Sequence, residues 1–333
     1  IYSLTVISLH LYVLMIDIRL IIYLIIKMKL DKKISFILLL IFFTIFVFSS
    51  DGHRFTIDED MAQQQATKIV LFQPSSDFVP GETHLYHDYP YYKNSKTAPI
   101  CYNEALCYTS SILYSLTESP FILFNHIFQI ITPSTIELTN EDFSDAHYVF
   151  WRNSFDSDIT FLELFYGPVF GSLIIFVFYL LLRSFSFNIK TSILMCVILG
   201  LSTLIWPYTQ TTLNSLPSTF FSLTGFYFFK KFMNTKLEKN LFFSSILLGC
   251  GFLIRNDIIL IIIPIFIVFL YLLRNNEHKI RKFVTFVIPL FSFYFISLLE
   301  EYVKFHNIPF NRVISFIDPT TQSSTDTFFE NIF

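Results

Sequence analysis

The sequence predicts an all-α polytopic membrane protein with about seven transmembrane segments, one pair of them broken, and a long external first loop that carries interfacial helices. Two observations lead to this fold class. The 333 residues are 53% apolar and only 15% charged, which is far from a soluble average. Several apolar runs also reach or approach the roughly 17–25 residues that a spanning helix needs. With a net charge of −3, the chain has no large basic face, so nucleic acid is excluded as a partner.

Five regions follow from the apolar runs. A basic flank and a clean apolar segment begin at Met28, "MKLDKKISFILLL", and this pattern makes the preceding residues an upstream extension outside the working protein. The alternative for that extension is an additional span whose charges face a neighbouring helix. The regions are the extension 1–27, the first transmembrane helix 28–50, an external acidic loop 51–160, the transmembrane bundle 161–299, and an external tail 300–333 that we expect to be truncated.

The candidate spans lie on the individual apolar runs. Each uninterrupted run is close to the length that a bilayer requires. The spans are 34–50, 161–182, 191–207, 213–229, the broken pair 241–254 and 257–273, and 283–299.

Basic residues set the predicted orientation. More than half of the 23 Lys and Arg residues fall in the short connectors 27–33, 183–190, 230–239 and 274–282. The long first loop instead holds five basic and fifteen acidic residues. The positive-inside rule therefore places the connectors in the cytoplasm. We predict a multi-pass protein of the cell membrane whose long first loop is extracytoplasmic.

An apolar-rich stretch at 105–132 tests this orientation, because a full crossing there would invert every later segment. The tripeptide "ESP" at 118–120 is expected to break it. Its second half places Asn125, Gln129 and Thr132 on one stripe of a helix. We expect an interfacial or re-entrant helix at the outer surface rather than a span.

The broken pair carries charges at its junction, Arg255, Asn256 and Asp257. An Arg–Asp pair in a bilayer is expensive, so it usually marks a functional or a helix-locking site. Alternatively, Arg255 snorkels to the lipid head groups.

A cluster of charged residues follows the first predicted span, in "SSDGHRFTIDEDMAQQQA", residues 49–66. Helical spacing of the small and apolar residues that follow puts the acids at a helix start, where one of them can serve as a cap. A cap does not account for three acids, Asp58, Glu59 and Asp60. Carboxylates at a membrane surface suit general-base chemistry or a divalent cation beside a lipid phosphate.

Other candidate chemistry in the first loop is weaker. Cys101 and Cys107 are close enough in sequence for a disulfide in an oxidising compartment. His84, His87 and Asp88 offer too few ligands for a metal site by themselves. No phosphate-binding loop or dinucleotide fingerprint is present, so an ATP-driven pump is not expected.

Three motifs resemble the GT-C superfamily of polytopic glycosyltransferases, especially its protein O-mannosyltransferase-like and aminoarabinose-transferase-like branch. One is the pair Asp58-Glu59 followed by small residues, at the start of a loop after one span. Another is the pair of spans in 167–229 with a "PY" turn at Pro207-Tyr208. The third is "LLGCGFLIRNDIILIIIP", residues 247–264, which is similar to the broken helix "G-x-x-x-L-x-R" of that family. The resemblance covers about 34–299.

The resemblance implies transfer of a sugar from a polyprenyl-phosphate-linked donor to a protein or lipid acceptor, with membrane lipid as a further partner. Asp58, with Glu59 beside it, would be the catalytic base or would help to hold a divalent cation, Mg²⁺ or Mn²⁺. Arg255 would bind the donor phosphate. Asp51 is a supporting candidate for substrate binding, and Tyr91 could stack on a sugar face. The alternative for Tyr91 is an interfacial aromatic belt.

The chain departs from the family in three respects. Its first loop is over 100 residues long and rich in Tyr, and the usual early "P-P-L" element is not evident. It also ends soon after the last predicted span, where such enzymes continue, so we expect a shortened paralogue or a fragment. Two other function classes stay open, a transporter component and a non-catalytic scaffold with an acidic binding loop. A transporter would place polar residues along several span interiors, whereas here they concentrate outside.

Overall fold

The structure, a computed structural model, describes residues 30–50, 57–70, 111–131, 160–274 and 278–305. In these ranges it is helical and contains no strand, which confirms the predicted all-α class. The helices are α1 Leu30–Ser49, α2 Ile57–Val70, α3 Ile112–Ile131, α4 Thr160–Ser184, α5 Ile189–Ser202, α6 Ile205–Tyr208, α7 Ser215–Thr235, α8 Glu238–Ile254, α9 Ile259–Leu273 and α10 Lys279–Phe305, with a 3₁₀ turn, Asn256–Ile258, before α9.

Four helical segments of the described chain are long and apolar enough to cross a membrane. They are Leu30–Ser49, Leu164–Ser184, Asn256–Leu273 and Lys279–Glu300. Two apolar helical segments, Ile112–Phe124 and Ile189–Ser202, are shorter. The predicted spans 213–229 and 241–254 fall on α7 and α8. Helix α7, at 21 residues, is long enough but less apolar than these four segments, and α8 has only 17 residues. A multi-pass membrane protein is confirmed, and the number of about seven crossings stays a prediction.

Polar contacts between helix ends show that the chain alternates between two sides of the bundle. Arg183 Nε lies 2.8 Å from Asp31 Oδ1, which joins the start of α1 to the end of α4. Arg281 Nε lies 2.7 Å from Glu238 Oε2 and joins the starts of α8 and α10. Asn234, near the end of α7, lies 3.4 Å from a carbonyl oxygen at the end of α4. We call this side the basic end.

The basic end carries the positive charge that the topology prediction used. Its Lys and Arg residues lie in the first turns of α1, α5, α8 and α10, in the last turn of α4, and close to the end of α7. Two lysines near the end of α7 also lie over aromatic rings, with Lys230 Nζ 4.5 Å from the Phe185 ring centroid. The alternation agrees with the predicted parity. Which end faces the cytoplasm stays a prediction from the positive-inside rule.

Aromatic side chains fill much of the core. Phe supplies 43 residues of the chain. Near the basic end Phe269 and Phe286 are fully buried, and their ring centroids lie 4.6 Å apart. In the half of the bundle away from the basic end, Tyr166 packs between Phe121 and Phe170, with ring centroids at 5.5 and 5.0 Å. Offset aromatic pairs at these distances add to the stabilisation from burial, so the rings connect neighbouring helices.

The structure corrects the predicted break at 118–120. Helix α3 is continuous through Pro120, although proline removes one intrahelical hydrogen bond. Contacts on both sides of the proline hold the two halves of the helix in place. Ser115 Oγ donates to Gln65 Oε1 of α2 at 2.8 Å, and Ile122 is buried against the same core. Tertiary packing therefore overrides the local preference.

Helix α3 turns its apolar side outward and its polar side inward. Tyr114, Ser115 and Glu118 are fully buried. The outward side carries exposed apolar residues, namely Ile112, Leu116, Leu123, Phe124 and Ile127. A helix that faced water would show the opposite pattern. This arrangement suits contact with lipid, and the interfacial or re-entrant position of α3 stays a prediction.

A second correction concerns the predicted span 191–207, because α5 ends at Ser202. Thr203 adopts an extended backbone, with φ −123° and ψ −177°. Its hydroxyl donates to the Leu199 carbonyl at 2.5 Å and accepts from the Ile205 N–H at 3.2 Å. These bonds satisfy groups that the end of a helix leaves open. The chain then forms the short helix α6, where a "PY" turn was expected.

We predict that Gly167→Ala destabilises the protein. A Cβ at this position would lie 2.1 Å from the Thr209 carbonyl oxygen and 2.9 Å from that of Thr211, so backbone must move. Overpacking of this kind costs about 1–3 kcal/mol, and the better helix propensity of Ala returns at most about 1 kcal/mol. The measurement is the thermal unfolding temperature in detergent.

Gly249→Ala is the matched control for this prediction. Its added Cβ would meet the side chain of Phe293, 2.4 Å away, rather than backbone. A side chain can rotate aside, so the control is expected to lower the unfolding temperature less. Equal unfolding temperatures for Gly167→Ala and the unchanged protein would contradict the close approach of α4 to residues 209–211.

Candidate functional site

Residues 203–215 connect α5 to α7 at the end of the bundle opposite the basic end. The segment contains no charged residue. Its threonines Thr209 and Thr212 are almost completely buried. Gln210 Nε2 donates to the Ser49 carbonyl oxygen at 3.2 Å and so holds the end of α1. We call these residues the 203–215 segment, and several predicted functional elements contact it.

Glu59 joins α2 to this segment. Its side chain is fully buried in the first turn of α2. Its Oε1 accepts a hydrogen bond from the Thr212 backbone N–H at 2.7 Å and lies 3.3 Å from the Thr212 hydroxyl. A buried carboxylate is costly without such donors. The acid pair of the sequence is therefore held at a defined place in the bundle by one of its members.

Tyr114 joins α3 to the same residue. Its hydroxyl donates a short hydrogen bond to the Thr212 carbonyl oxygen. The first turn of α3 is tied to α10 as well, because the Ile112 N–H donates to Glu300 Oε1 at 2.7 Å. Thr212 thus forms a backbone hydrogen bond with a side chain of each of two helices, α2 and α3. Both helices lie between the first and second predicted spans.

Arg255 lies where the broken pair is interrupted. Its backbone is extended, with φ −143° and ψ 120°, between the end of α8 and the 3₁₀ turn. Nε and Nη2 donate to the two carboxylate oxygens of Asp257 at 3.1 and 2.7 Å, a bidentate pair. Nη1 donates to Ser215 Oγ at 2.7 Å. The Arg255 side chain is 36% exposed, so it stays accessible to a further anion.

Glu59 and Arg255 are therefore anchored three residues apart on one backbone segment. Consecutive Cα atoms are about 3.8 Å apart, so the Cα atoms of Thr212 and Ser215 lie within about 11 Å of each other. Leu216 and Ile254, which flank these anchors, also belong to one buried cluster with Ala62 and Ala66 of α2. The site is assembled from three stretches that are far apart in sequence.

Burial shapes the electrostatics of this region. Desolvation is the main cause that raises the pKa of the Tyr114 hydroxyl well above its usual value of 10, and Glu118, Tyr166 and Glu59 add to the effect. The phenol is protonated at physiological pH, as an ordinary tyrosine is, and the raised pKa keeps it a hydrogen-bond donor at higher pH as well. Glu118, which is fully buried one turn further along α3, brings a second carboxyl group to the same interface.

The structure describes the side chains of some predicted site residues and not of others. Arg255 and Glu59 are placed as described above. Asp58 belongs to the first turn of α2, and its side chain lies outside what the structure describes. Asp51 and Tyr91 lie outside the described residues. The same holds for the Cys101–Cys107 pair and for His84, His87 and Asp88.

In the part of the chain that is described, the predicted metal site does not have a complete set of ligands. There, no three His, Cys, Asp or Glu side chains come together in a way that could hold an ion. Glu59 and Glu118 supply two buried carboxyl groups, and any further ligand would have to come from elsewhere. A divalent cation, Mg²⁺ or Mn²⁺, stays a prediction, and no step below is routed through it.

Sequence reasoning missed the residues that bring the site together. Thr212 and Ser215 lie in an uncharged polar stretch, "TQTTLNS", between two apolar runs, and that contrast is the one local signal. Tyr114 and Glu118 are polar residues four apart in an apolar-rich helix. This spacing places both on one face and could have marked that face as the inner one.

Comparison with known proteins bears on part of the chain. Residues 163–299 match the model of a family described as dolichyl-phosphate-mannose-protein mannosyltransferase. No curated protein matches the chain, and no solved structure matches it. The matched region runs from α4 into α10 and includes Arg255 and the 203–215 segment, while α2 and α3 lie outside it. The match supports a membrane glycosyltransferase of the GT-C type, and it separates no finer branch of that class.

Proposed function

We propose that the chain transfers a sugar from a polyprenyl-phosphate-linked donor to a protein or lipid acceptor on the extracytoplasmic face of the membrane. One observation carries the proposal. Glu59 of the first-loop acid pair and Arg255 bond to two residues that are three positions apart, Thr212 and Ser215, on a segment that lies inside the family-matched region. Sugar transfer needs a base and a phosphate partner on either side of one sugar unit, and this arrangement can supply both.

Arg255 is assigned to the donor phosphate. A guanidinium offers several N–H donors in a plane and binds phosphate oxygens well. Ser215 and Asp257 already orient the group. The phosphate leaves as an anion, so it needs charge stabilisation rather than a proton. Arg255 provides that charge at the junction of α8 and α9.

Asp58 is assigned as the general base, and Glu59 as the residue that fixes α2. In the transfer step Asp58 accepts the proton of the acceptor hydroxyl. The acceptor oxygen then bonds to the anomeric carbon, while the bond from that carbon to the phosphate oxygen breaks and the lipid phosphate leaves with the electron pair. Because Glu59 is buried and bonded to Thr212, its neighbour in the chain is held close to the same segment. Asp51 and Tyr91 remain proposed contacts to the sugar or acceptor.

A transfer assay in membranes tests the function. Dolichyl-phosphate mannose, the donor that the family description names, is the first probe. Donors with a shorter polyprenyl chain or another sugar follow. Radiolabel that becomes fixed to protein or lipid, in membranes containing the chain but not in control membranes, is the expected result. If no donor yields transfer while the purified chain moves labelled lipid or sugar across vesicles, the transporter class is correct instead. If neither activity is found, the scaffold class is favoured.

A further inference from the structure

Thr212 is held from two sides by residues of different helices. Its N–H donates to Glu59 of α2, and its carbonyl oxygen accepts from Tyr114 of α3. A single peptide segment therefore transmits the position of α3 to the helix that carries the acid pair. Three residues further on, Ser215 accepts from Arg255. Tyr114 thus contacts the segment to which both the acid pair, through Glu59, and Arg255 are bonded.

Helix α3 is well placed to act as a fixed support. Its first two turns bond to three other helices, through Ile112 to Glu300, Ser115 to Gln65, and Thr117 to Tyr166. The Tyr114 ring is fully buried in the same core as Ala62 and Ala66. The ring and its hydroxyl consequently have little freedom to move. A shift of Thr212 would have to break the hydrogen bond rather than drag the tyrosine with it.

We propose that Tyr114 is a positioning residue for the transfer site, which holds Thr212 so that the acid pair of α2 and the guanidinium of Arg255 keep their spacing. The inference rests on the proposed function and adds a residue from outside the family-matched region. Its role is conformational, since the phenol contacts a backbone carbonyl. Loss of the hydroxyl is expected to lower kcat more than the affinity for the donor, because Arg255 keeps its own partners.

The test compares two buried tyrosines that each lose one hydroxyl. Tyr114→Phe removes the bond to Thr212, whereas Tyr166→Phe removes a bond to the Thr117 hydroxyl, 2.7 Å away. Hydrogen–deuterium exchange of the peptide that contains Thr212 is measured on the whole chain in detergent. Tyr114→Phe should speed exchange at Thr212 by about fivefold, the effect of one neutral hydrogen bond. Tyr166→Phe should leave that exchange nearly unchanged, because α3 keeps its bonds through Ile112 and Ser115.

Transfer kinetics are the second readout. Tyr114→Phe should lower kcat by about tenfold, with the KM for dolichyl-phosphate mannose within twofold of the unchanged protein, as expected for an interaction that matters in the transition state. Replacement of Tyr114 with p-aminophenylalanine keeps the ring and an N–H donor, so it should restore part of the rate. This variant also serves if Tyr114→Phe does not fold.

The outcomes separate the two proposals. If the unchanged protein transfers sugar and the two Phe variants behave alike in exchange and in kcat, Tyr114 is not a positioning residue. Faster exchange at Thr212 without loss of kcat overturns the proposal as well. If the unchanged protein transfers no sugar from any donor while Tyr114→Phe still speeds exchange at Thr212, the anchoring stands and the proposed function fails, and with it the link to transfer.

Discussion

Asp58→Asn is expected to slow sugar transfer by about 10²–10⁴-fold, the range that general-base catalysis contributes. Asparagine has nearly the same shape but does not take up a proton at neutral pH. It is also similar to aspartate in helix propensity, so α2 should keep its fold and its contact through Glu59. The measurement is the initial rate of transfer from labelled dolichyl-phosphate mannose in membranes that contain equal amounts of protein.

Asp60→Asn is the matched control for the base assignment. Asp60 lies two residues further along the same helix, and its replacement removes the same charge from the same helix start. A rate within about threefold of the unchanged protein is expected, which corresponds to less than about 1 kcal/mol. Size-exclusion chromatography shows whether each variant is folded. Undiminished transfer by Asp58→Asn, or equal losses in both variants, would mean that Asp58 is not the base.

The long apolar runs made most of the bundle predictable. The predicted spans 34–50 and 161–182 correspond to α1, Leu30–Ser49, and α4, Thr160–Ser184. An uncharged run of this length has few alternatives to a helix, because backbone groups in lipid must bond within their own segment. Helix ends next to charges were also close to the prediction, as at Arg255. The fold class could therefore be predicted from the composition of the chain and the length of its apolar runs.

The two errors in the predicted helix bounds have different causes, one tertiary and one local. The sequence favoured a break at Pro120, and α3 continues through it because Ser115 and Ile122 are held on either side. It also favoured a span up to residue 207, and α5 stops at Ser202 because the Thr203 hydroxyl bonds to the helix end. At Pro120 the partners come from distant parts of the chain, such as Gln65, and they become visible only in the folded structure. At Ser202 the bonds are local bonds between a side chain and the backbone.

The charged residues of the candidate site could be predicted from the sequence, but the neutral residues that hold them in place could not. Glu59 and Arg255 stand out because charge beside a long apolar run is rare and expensive. Thr212, Ser215 and Tyr114 do not stand out, since neutral polar residues are common in helix connections. Their importance comes from three hydrogen bonds that link stretches up to about 150 residues apart in sequence, as from Glu59 to Thr212.

The exposed pair of Arg255 and Asp257 explains why the stability of the fold should depend little on either charge. The side chains are 36% and 53% exposed, and pairs of this kind contribute roughly 0–1 kcal/mol. Helix α8 also packs through Leu248, Phe252 and Ile254, which are buried. A large effect of Arg255 on transfer therefore could not be attributed to unfolding of the junction between α8 and α9.

Arg255→Gln is accordingly expected to lower kcat/KM for the donor by about 10–100-fold, because a hydrogen bond to a charged group is worth about 1.5–3 kcal/mol. Its thermal unfolding temperature should stay close to that of the unchanged protein. Asp257→Asn is the control that separates phosphate binding from a purely structural ion pair. It removes the competing carboxylate but leaves the guanidinium, so kcat/KM should be unchanged or higher.

The pair of variants distinguishes the three roles open to this arginine. A phosphate ligand predicts loss in Arg255→Gln alone. A helix-locking ion pair predicts equal losses of unfolding temperature and of transfer in Arg255→Gln and Asp257→Asn, since each removes the same bridge. An arginine that only reaches lipid head groups predicts normal transfer in both variants. Arg255→Lys adds a graded test. It keeps the charge but loses the planar donor geometry, and an intermediate kcat/KM would tie the effect to phosphate recognition.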